Sequence, residues 1–437
     1  MGRPNILYIH SHDTGRYIQP YGHAIATPNL QRLAEQGVLF RQAFCAGPTC
    51  SPSRAALVTG QSPHSCGMIG LAHRGFSLID HGRHVCHTLR RAGYFTGLIG
   101  VQHEARGPNV EKLGYEKVFK TNGARAGVMA PLAVEFLTSA PPQPFFLSVG
   151  CGDTHRDFSE SDPIDAPLYS LPPAPIPDTP VTRRDMAAFK KRARAIDEAW
   201  GTVFAALEAT GLADHTLVIC TTDHGIAFPG MKCNLTDHGI GVMLVLRGPG
   251  GFLGGQVVDA LVSQIDLFPT ICQVAGIDRP AWLEGESVVP LVTGQAERIH
   301  EEIFSEVTYH AAYEPMRCVR TTRYKYVRRF DDRGRPVLAN CDDSPSKDLW
   351  RAHGWRDRPV ARDELYDLIF DPNEAHNIAA DGAALPVLTD LRGRLEAWMC
   401  RTDDPLLKGP VPAPPGAVIS DPDDLSPRDV NVRLGKK

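Results

Sequence analysis

Short apolar runs alternate with longer amphipathic segments through residues 5–275, and most of the apolar runs end in polar residues. The runs at 5–9, 94–100, 145–150, 216–222 and 241–247 predict strands, and the segments at 27–37, 82–92, 131–139, 183–210 and 263–274 predict helices. Strands that are apolar almost throughout are typical of parallel sheets that are buried on both faces. The pattern therefore predicts an α/β fold, with a large, mostly parallel sheet sandwiched by helices.

Beyond about residue 315 the pattern changes to alternation with many Arg, Tyr and Val residues. It predicts a hairpin of exposed antiparallel strands around 322–327, a short strand at 364–368, an amphipathic helix at 385–399, and a tail from 405 that is extended along the surface or loose. We expect a larger α/β domain over 1–315. A smaller α+β subdomain over 316–437 would be built on an antiparallel sheet.

Composition excludes several classes of protein. The chain has 437 residues, 43% apolar content and a formal net charge of −4, so nothing indicates nucleic-acid binding or a basic membrane-facing surface. The apolar run at the N-terminus is too short for a signal peptide or a membrane span, which favours a cytoplasmic protein. Eleven Cys without paired spacing indicate reduced thiols. The expected partner is a small molecule, and a homo-oligomer is compatible with the sequence.

Imidazole and carboxylate side chains follow four of the predicted strands. These residues are His12, Asp13, His103, His155, Asp223 and His224. Because the carboxyl ends of parallel strands meet at one edge of a sheet, we expect these residues to lie together. A lone His at a strand end is more often an ordinary polar residue, but the recurrence favours a divalent-metal site.

The stretch from Cys50 to Arg54 has the form Cys-x-Pro-x-Arg and precedes a predicted helix. Ser51 is the expected N-cap and Pro52 the expected first helical residue, so Cys50 would lie where a helix dipole favours an anion such as sulfate or phosphate. The alternative is a buried structural Cys before an ordinary helix. Lys232 lies on a loop after the last of these strand ends, either solvated or as a point charge for an anion.

These residues together resemble the sulfatase family of the alkaline phosphatase superfamily, closest to its heparan N-sulfatase (sulfamidase) branch. The resemblance runs along nearly the whole chain. It rests on Cys50-Ser51-Pro52-Ser53-Arg54, Ala26-Thr27-Pro28-Asn29-Leu30, Gly97-Leu98-Ile99-Gly100 with His103, Asp153-Thr154-His155-Arg156, Thr222-Asp223-His224-Gly225, Glu364-Leu365-Tyr366-Asp367 and Asp371-Pro372-Asn373-Glu374. It implies an alkaline phosphatase-like fold.

The resemblance also implies roles for the site residues. Cys50 would be oxidised by a formylglycine-generating maturase to formylglycine, whose hydrate is the nucleophile and a metal ligand. Arg54 would steady it. The remaining residues would bind the metal (His12, Asp13, Asp223, His224) or hold sulfate oxygens and handle protons (His103, His155, Lys232). The implied activity is hydrolysis of a sulfate ester or sulfamate on a small anionic sugar.

Three positions depart from the sulfatase pattern. His12 replaces an Asp, His224 replaces an Asn, and Val101 replaces a Lys that contacts the sulfate. The family resemblance implies Ca²⁺, but imidazole in place of oxygen ligands favours Mn²⁺, Zn²⁺ or Fe²⁺. The sequence therefore leaves Ca²⁺, Mn²⁺, Zn²⁺ and Fe²⁺ as candidates for the metal ion.

Two alternatives to a sulfatase remain at this point. An Asp-His pair and a missing Lys also resemble the phosphonate monoester hydrolases and phosphodiesterases of the same superfamily, which use formylglycine as well. A non-catalytic binder of sulfated glycans would require an unconverted Cys50. The Arg- and Tyr-rich hairpin is expected to be a solvated sheet face, in preference to a rim that contacts the sugar.

Overall fold

The computed structural model describes residues 2–158 and 163–430, and every structural statement below concerns these residues. Met1, residues 159–162 and the last seven residues of the predicted tail lie outside the described ranges. Within these ranges, no helix is both long enough and apolar enough to cross a membrane.

The core of the molecule is an eight-stranded sheet with the strand order β5-β4-β6-β1-β7-β8-β2-β9. Together with β3 and β10, which pair with each other beside it, the strands are β1 Asn5–His10, β2 Val38–Phe40, β3 Ala43–Phe44, β4 Phe95–Gly100, β5 Lys117–Phe119, β6 Phe145–Gly150, β7 Thr216–Thr221, β8 Leu244–Arg247, β9 Gln256–Val258 and β10 Val262–Ser263. The four central strands β4, β6, β1 and β7 are parallel neighbours, and β8 runs antiparallel to β7 and β2. The predicted large, mostly parallel sheet is confirmed.

Helices cover both faces of this sheet because successive side chains of β1 enter two different hydrophobic clusters, Ile6 and Tyr8 on one face and Leu7 and Ile9 on the other. One cluster includes side chains of α2, α4 and α8, and the other includes side chains of α1, α5 and α6. The helices are α1 Pro28–Gln36, α2 Cys50–Thr59, α3 Pro63–Cys66, α4 Val85–Arg91, α5 Ala126–Thr138, α6 Pro180–Ala209, α7 Asp237–Ile240, α8 Leu267–Ala275, α9 Val289–Val292, α10 Pro345–Ala352 and α11 Leu385–Arg401.

A second, four-stranded antiparallel sheet follows in the chain, with the order β11-β12-β13-β14. Its strands are β11 Glu302–Tyr309, β12 Tyr313–Thr321, β13 Tyr324–Arg329 and β14 Asp363–Asp367, and α11 packs on one face through Leu395 and Trp398. The predicted antiparallel sheet and terminal helix are confirmed. The division at 315/316 stays a prediction, and β11 lies on its N-terminal side.

The expectation of an exposed, solvated hairpin at 322–327 holds only at its turn, where Thr322 and Arg323 are exposed. The strands themselves are not exposed: Lys325 and Tyr326 are buried, and so are Arg317 and Arg320 on the neighbouring strand β12. Tyr326 is covered by α11, and the cations are paired with acidic residues, as in the contact of Lys325 with Glu374 at 2.9 Å. A sequence rich in Arg and Lys therefore forms buried strands here because each charge has a partner.

The structure also bears on two predicted loops, the Pro-rich stretch before α6 and the C-terminal tail. The Pro-rich stretch before α6 is a loop with two short 3-10 turns, but α6 begins at Pro180, because a capping box between Thr179 and Thr182 starts the helix earlier than expected. The tail is held in place up to residue 430. Arg333 and Arg335 both pair with Asp423, which excludes a loose tail over this part.

Candidate active site

The side chains predicted at the strand ends come together at one edge of the large sheet. The ring centroid of His12, after β1, lies 4.7 Å from that of His155, 5.6 Å from that of His103 and 6.3 Å from that of His224. These residues follow β1, β6, β4 and β7, the four adjacent parallel strands, so the topology alone explains why they converge.

Five buried residues form a candidate metal centre. One potential ligand atom from each lies within 4.8 Å of all the others, and the residues are His12, Asp13, Cys50, Asp223 and His224. The Nδ1 atom of His12 lies 2.8 Å from Asp13 Oδ1 and 3.1 Å from Asp223 Oδ2. The Nε2 atom of His224 lies 3.4 Å and 3.6 Å from oxygens of the same two carboxylates.

The donor set fits a divalent cation. His224 Nδ1 lies 3.0 Å from the carbonyl oxygen of Gly225 and donates to it, which leaves the Nε2 lone pair facing two carboxylates without a hydrogen-bond partner. Lone pairs and carboxylates that converge in a buried space repel one another unless a cation lies between them. Burial also lowers the pKa of His12 to about 4, so its imidazole is neutral and able to bind a metal.

The carboxylates of the cluster are ionised. Burial alone would raise the pKa of Asp13, but the charge of Lys232 holds it well below its usual range. Lys232 is buried, and its Nζ donates to Asp13 Oδ2 at 2.9 Å and pairs with Asp342 Oδ2 at 2.8 Å. The structure thus excludes the solvated alternative for Lys232.

Cys50 is the first residue of α2 and is 2% exposed. The expected N-cap is wrong: Thr49 holds that position, and the Ser51 hydroxyl instead accepts the N–H of Ala72 at 3.0 Å. The helix begins at Cys50, two residues earlier than the predicted start at Pro52, which places Cys50 itself in the first turn. Burial raises the pKa of the Cys50 thiol, so an unmodified Cys50 would be a poor nucleophile at neutral pH.

Arg54 reaches the metal cluster from one turn inside α2. Its Nη2 donates to Asp223 Oδ2 at 3.1 Å and to the carbonyl of Ser11 at 2.7 Å, and its Nη1 lies 2.6 Å from His10 Nδ1. These contacts orient the carboxylate of Asp223. The expected action of Arg54 on the nucleophile stays a prediction.

The two remaining His residues have different surroundings. His103 Nε2 lies 3.0 Å from His73 Nδ1, the two rings are stacked, and Nδ1 of His103 is buried without a hydrogen-bond partner. His155 Nδ1 lies 2.6 Å from the carbonyl of Arg156, to which it donates. His155 Nε2 is therefore the ring nitrogen that is available to a bound anion.

Sequence reasoning missed three residues at or beside the site. Asp342 pairs with Lys232, His73 contacts His103, and His310 is buried with an unpaired Nδ1 close to the charges of Lys232 and Asp342. None of the three follows a strand of the large sheet, and none belongs to a segment that resembles a sulfatase motif. His310 follows a segment, 303–309, in which polar and apolar residues are mixed, so its position gave no clear signal of a site.

Comparison with family models gives two matches. Residues 4–277 match the family model described as Sulfatase, and residues 231–348 match the model described as N-sulphoglucosamine sulphohydrolase, C-terminal. Among curated proteins, the human N-sulphoglucosamine sulphohydrolase is 31% identical over 93% of this chain and 92% of its own length.

Solved structures share the fold at low sequence identity. A 2-O GAG sulfatase superposes with a TM-score of 0.74 at 22% identity, covering 98% of this chain and 99% of its own. A phosphonate monoester hydrolase from Silicibacter pomeroyi superposes with a TM-score of 0.66 at 20% identity, covering 92% of this chain and 97% of its own.

Proposed function

The chain belongs to the sulfatase family, and from that premise we propose that it hydrolyses a sulfate ester or sulfamate on a sugar, using a formylglycine formed from Cys50 and one divalent metal ion. The observation that carries the proposal is the position of Cys50, in the first turn of α2 and within 4.8 Å of ligand atoms from two His and two Asp. A buried Cys in ordinary packing has no need of such neighbours.

The class of substrate is inferred from relatives and from the charge of the site. The human relative is named for hydrolysis of N-sulphoglucosamine, and the C-terminal family model carries the same name. Lys232 and Arg54 are buried cations beside the metal cluster, which suits a bound sulfate group. A sulfated glucosamine is therefore the substrate class we propose.

Separate residues would supply the nucleophile and the metal ligands. The hydrate of formylglycine at position 50 would supply an oxygen nucleophile, which a buried thiol cannot. His12, Asp13, Asp223 and His224 would hold a divalent ion, which supplies positive charge to the sulfate oxygens. The two imidazole ligands favour Mn²⁺, Zn²⁺ or Fe²⁺ over Ca²⁺.

The chain's own side chains bind the anion and move protons. Lys232 supplies a point charge to the sulfate, while Arg54 orients Asp223. His155 offers Nε2, and His103 offers Nδ1, to the anion or to the leaving group, and the contact with His73 fixes the His103 ring. One of these His residues would protonate the departing alcohol or amine.

The test is a paired hydrolysis assay on metal-repleted protein that has been co-expressed with a formylglycine-generating enzyme. Glucosamine N-sulfate, an aryl sulfate and an aryl phosphonate monoester are compared, with Cys50→Ala as control. We expect turnover of a sulfur substrate that is lost in the variant. Turnover that persists in Cys50→Ala, or none with either sulfur substrate in protein shown to carry formylglycine, would reject the proposal.

A phosphonate monoester hydrolase is the second candidate. One observation favours it: His224 and Val101 depart from the sulfatase pattern. The fold is compatible with both activities, since it superposes on sulfatases and on a phosphonate monoester hydrolase. A phosphonate monoester has two terminal oxygens where a sulfate ester has three, so it requires one polar contact fewer than a sulfate ester. A preference for the aryl phosphonate in the same assay would select this candidate.

A further inference from the structure

A cavity of 660 Å³ lies outside the candidate active site, between the Pro-rich loop that precedes α6 and the C-terminal end of α10. Pro175, Trp350, Trp355 and Arg358 are among the residues that line it. The two indole rings meet at 86°, with their centroids 5.1 Å apart, so they form an aromatic corner. Both rings are only half-buried, and the volume is in the range of small-ligand pockets.

Contacts outside the cavity hold Trp350, one wall of the aromatic corner, in place before any ligand binds. The hydroxyl of Ser346, in the first turn of α10, donates to Asp185 Oδ2 at 2.5 Å, and Arg156 holds the same carboxylate at 2.7 and 2.8 Å. Trp350 also packs against the buried cluster that contains Phe228 and Met231. A platform fixed in this way loses little conformational entropy on binding.

The charge beside the corner is a cation without a partner. No ion pair joins the Arg358 guanidinium to an acidic side chain anywhere in residues 2–158 and 163–430, although Asp357 also lines the cavity. An indole face packs on the C–H face of a sugar ring, and a guanidinium binds two oxygens of a sulfate group. The combination fits a sulfated saccharide better than a purely apolar ligand.

The aromatic corner continues into a second cavity of 510 Å³, which Pro175, Trp350, Trp355 and Arg358 also line. That cavity reaches Gly230 and Cys341, and a Cβ atom on Gly230 would lie 3.5 Å from the indole of Trp350. Cys341 adjoins Asp342 in sequence, and Gly230 lies two residues before Lys232. The second cavity therefore runs from the corner toward the segments that contain Lys232 and Asp342, although neither of these side chains lines it. The two cavities together are larger than a single sugar unit.

We propose that Trp350, Trp355 and Arg358 form an accessory binding site for a sulfated oligosaccharide, distinct from the candidate active site. The ligand class rests on the proposed function, whereas the existence of the site rests on the cavities, the indoles and the unpaired cation. A monosaccharide cannot fill both cavities, so the site distinguishes oligosaccharides from single sugars.

The test uses the full chain with Cys50→Ala, which prevents turnover. Calorimetric titration compares an N-sulfated heparin tetrasaccharide, its desulfated counterpart and glucosamine N-sulfate. We expect Trp355→Ala to weaken binding of the sulfated tetrasaccharide about tenfold and to leave binding of the monosaccharide unchanged. Arg358→Gln should weaken binding of the sulfated tetrasaccharide alone. Trp282→Ala is the matched control, because Trp282 lines neither cavity.

The outcomes separate this site from the proposed function. Unchanged tetrasaccharide affinity in both Trp355→Ala and Arg358→Gln would overturn the accessory site, and so would equal loss of affinity for the monosaccharide. Equal affinity for the desulfated tetrasaccharide would overturn the assignment of a sulfated ligand. If the wild-type protein, which retains Cys50, did not hydrolyse glucosamine N-sulfate, that result would count against the proposed function. It would not affect the conclusion about tetrasaccharide binding.

Discussion

Replacement of Asp342 by Asn tests the electrostatic account of the site. Asp342 pairs with Lys232 at 2.8 Å, and the side chains are 15% and 3% exposed. Burial alone would raise the pKa of Asp342, but the Lys232 charge holds it below its usual range, so Asn removes a full negative charge. Loss of one partner of a buried ion pair costs about 3–5 kcal/mol. Lys232 keeps its contact with Asp13, and the amide oxygen of Asn still accepts a hydrogen bond. We therefore expect Asp342→Asn to lower the free energy of unfolding by about 2 kcal/mol.

The same substitution should improve the binding of an anion. One Lys232 ammonium contacts both Asp342 and Asp13, so a sulfate at the cluster would lie within roughly 8 Å of the lost charge. A unit charge at that distance is worth about 2 kcal/mol at an effective dielectric constant near 20, and about half of that after screening. We therefore expect KM for a sulfated substrate to fall about fivefold while the free energy of unfolding also falls.

The assay measures urea unfolding and steady-state kinetics on the same metal-repleted preparations. Asp348→Asn is the matched control, since Asp348 is 72% exposed and its pair with Arg351 should contribute less than about 1 kcal/mol. A free energy of unfolding for Asp342→Asn equal to that of the control, or a KM that rises, would refute the reasoning.

Three further predictions concern single substitutions. Burial alone would lower the pKa of His64, but the contact with Glu306 outweighs it and raises that pKa above 6.5. The stabilisation by this contact is therefore complete below pH 6.5 and is lost as the pH rises through the pKa of the folded state. Urea unfolding from pH 5 to pH 9 should show the difference in unfolding free energy between wild type and His64→Gln shrinking as the pH rises, and a constant difference would contradict this. Arg317→Met should lower the free energy of unfolding in urea by about 3 kcal/mol, because it leaves buried carboxylates unpaired. Arg328→Met removes a partly exposed ion pair and should lower it by less than about 1 kcal/mol. Similar losses in the two variants would refute the distinction. His224→Asn replaces an imidazole ligand with an amide oxygen. In competition titrations, the ratio of Zn²⁺ affinity to Ca²⁺ affinity should fall about tenfold. An unchanged ratio of the two affinities would show that His224 is not a metal ligand.

The sequence predicted the large sheet and the convergence at its edge because both depend on local pattern. Apolar runs that end in His or Asp specify strand and strand end together, and parallel order then brings His12, His103, His155 and Asp223 to one place.

The features that were missed depend on contacts between distant parts of the chain. Asp342 becomes a site residue only because the segment before α10 packs against Lys232, and no periodicity marks that contact. The exposed hairpin was predicted from its Arg and Lys content, since a sequence does not show that Lys325 finds Glu374 and Asp237 in the fold. Charge pairing of this kind is visible only in the folded chain.

Peptide mass spectrometry of Cys50 tests the central claim most directly. The protein is co-expressed with a formylglycine-generating enzyme, digested, and treated with a hydrazide probe, with Cys50→Ser handled in parallel. The account predicts that the peptide carries an aldehyde in place of the thiol, that only this peptide reacts with the probe, and that sulfatase activity rises with the converted fraction. An unmodified thiol at Cys50 in protein that is fully active on a sulfate substrate would contradict it.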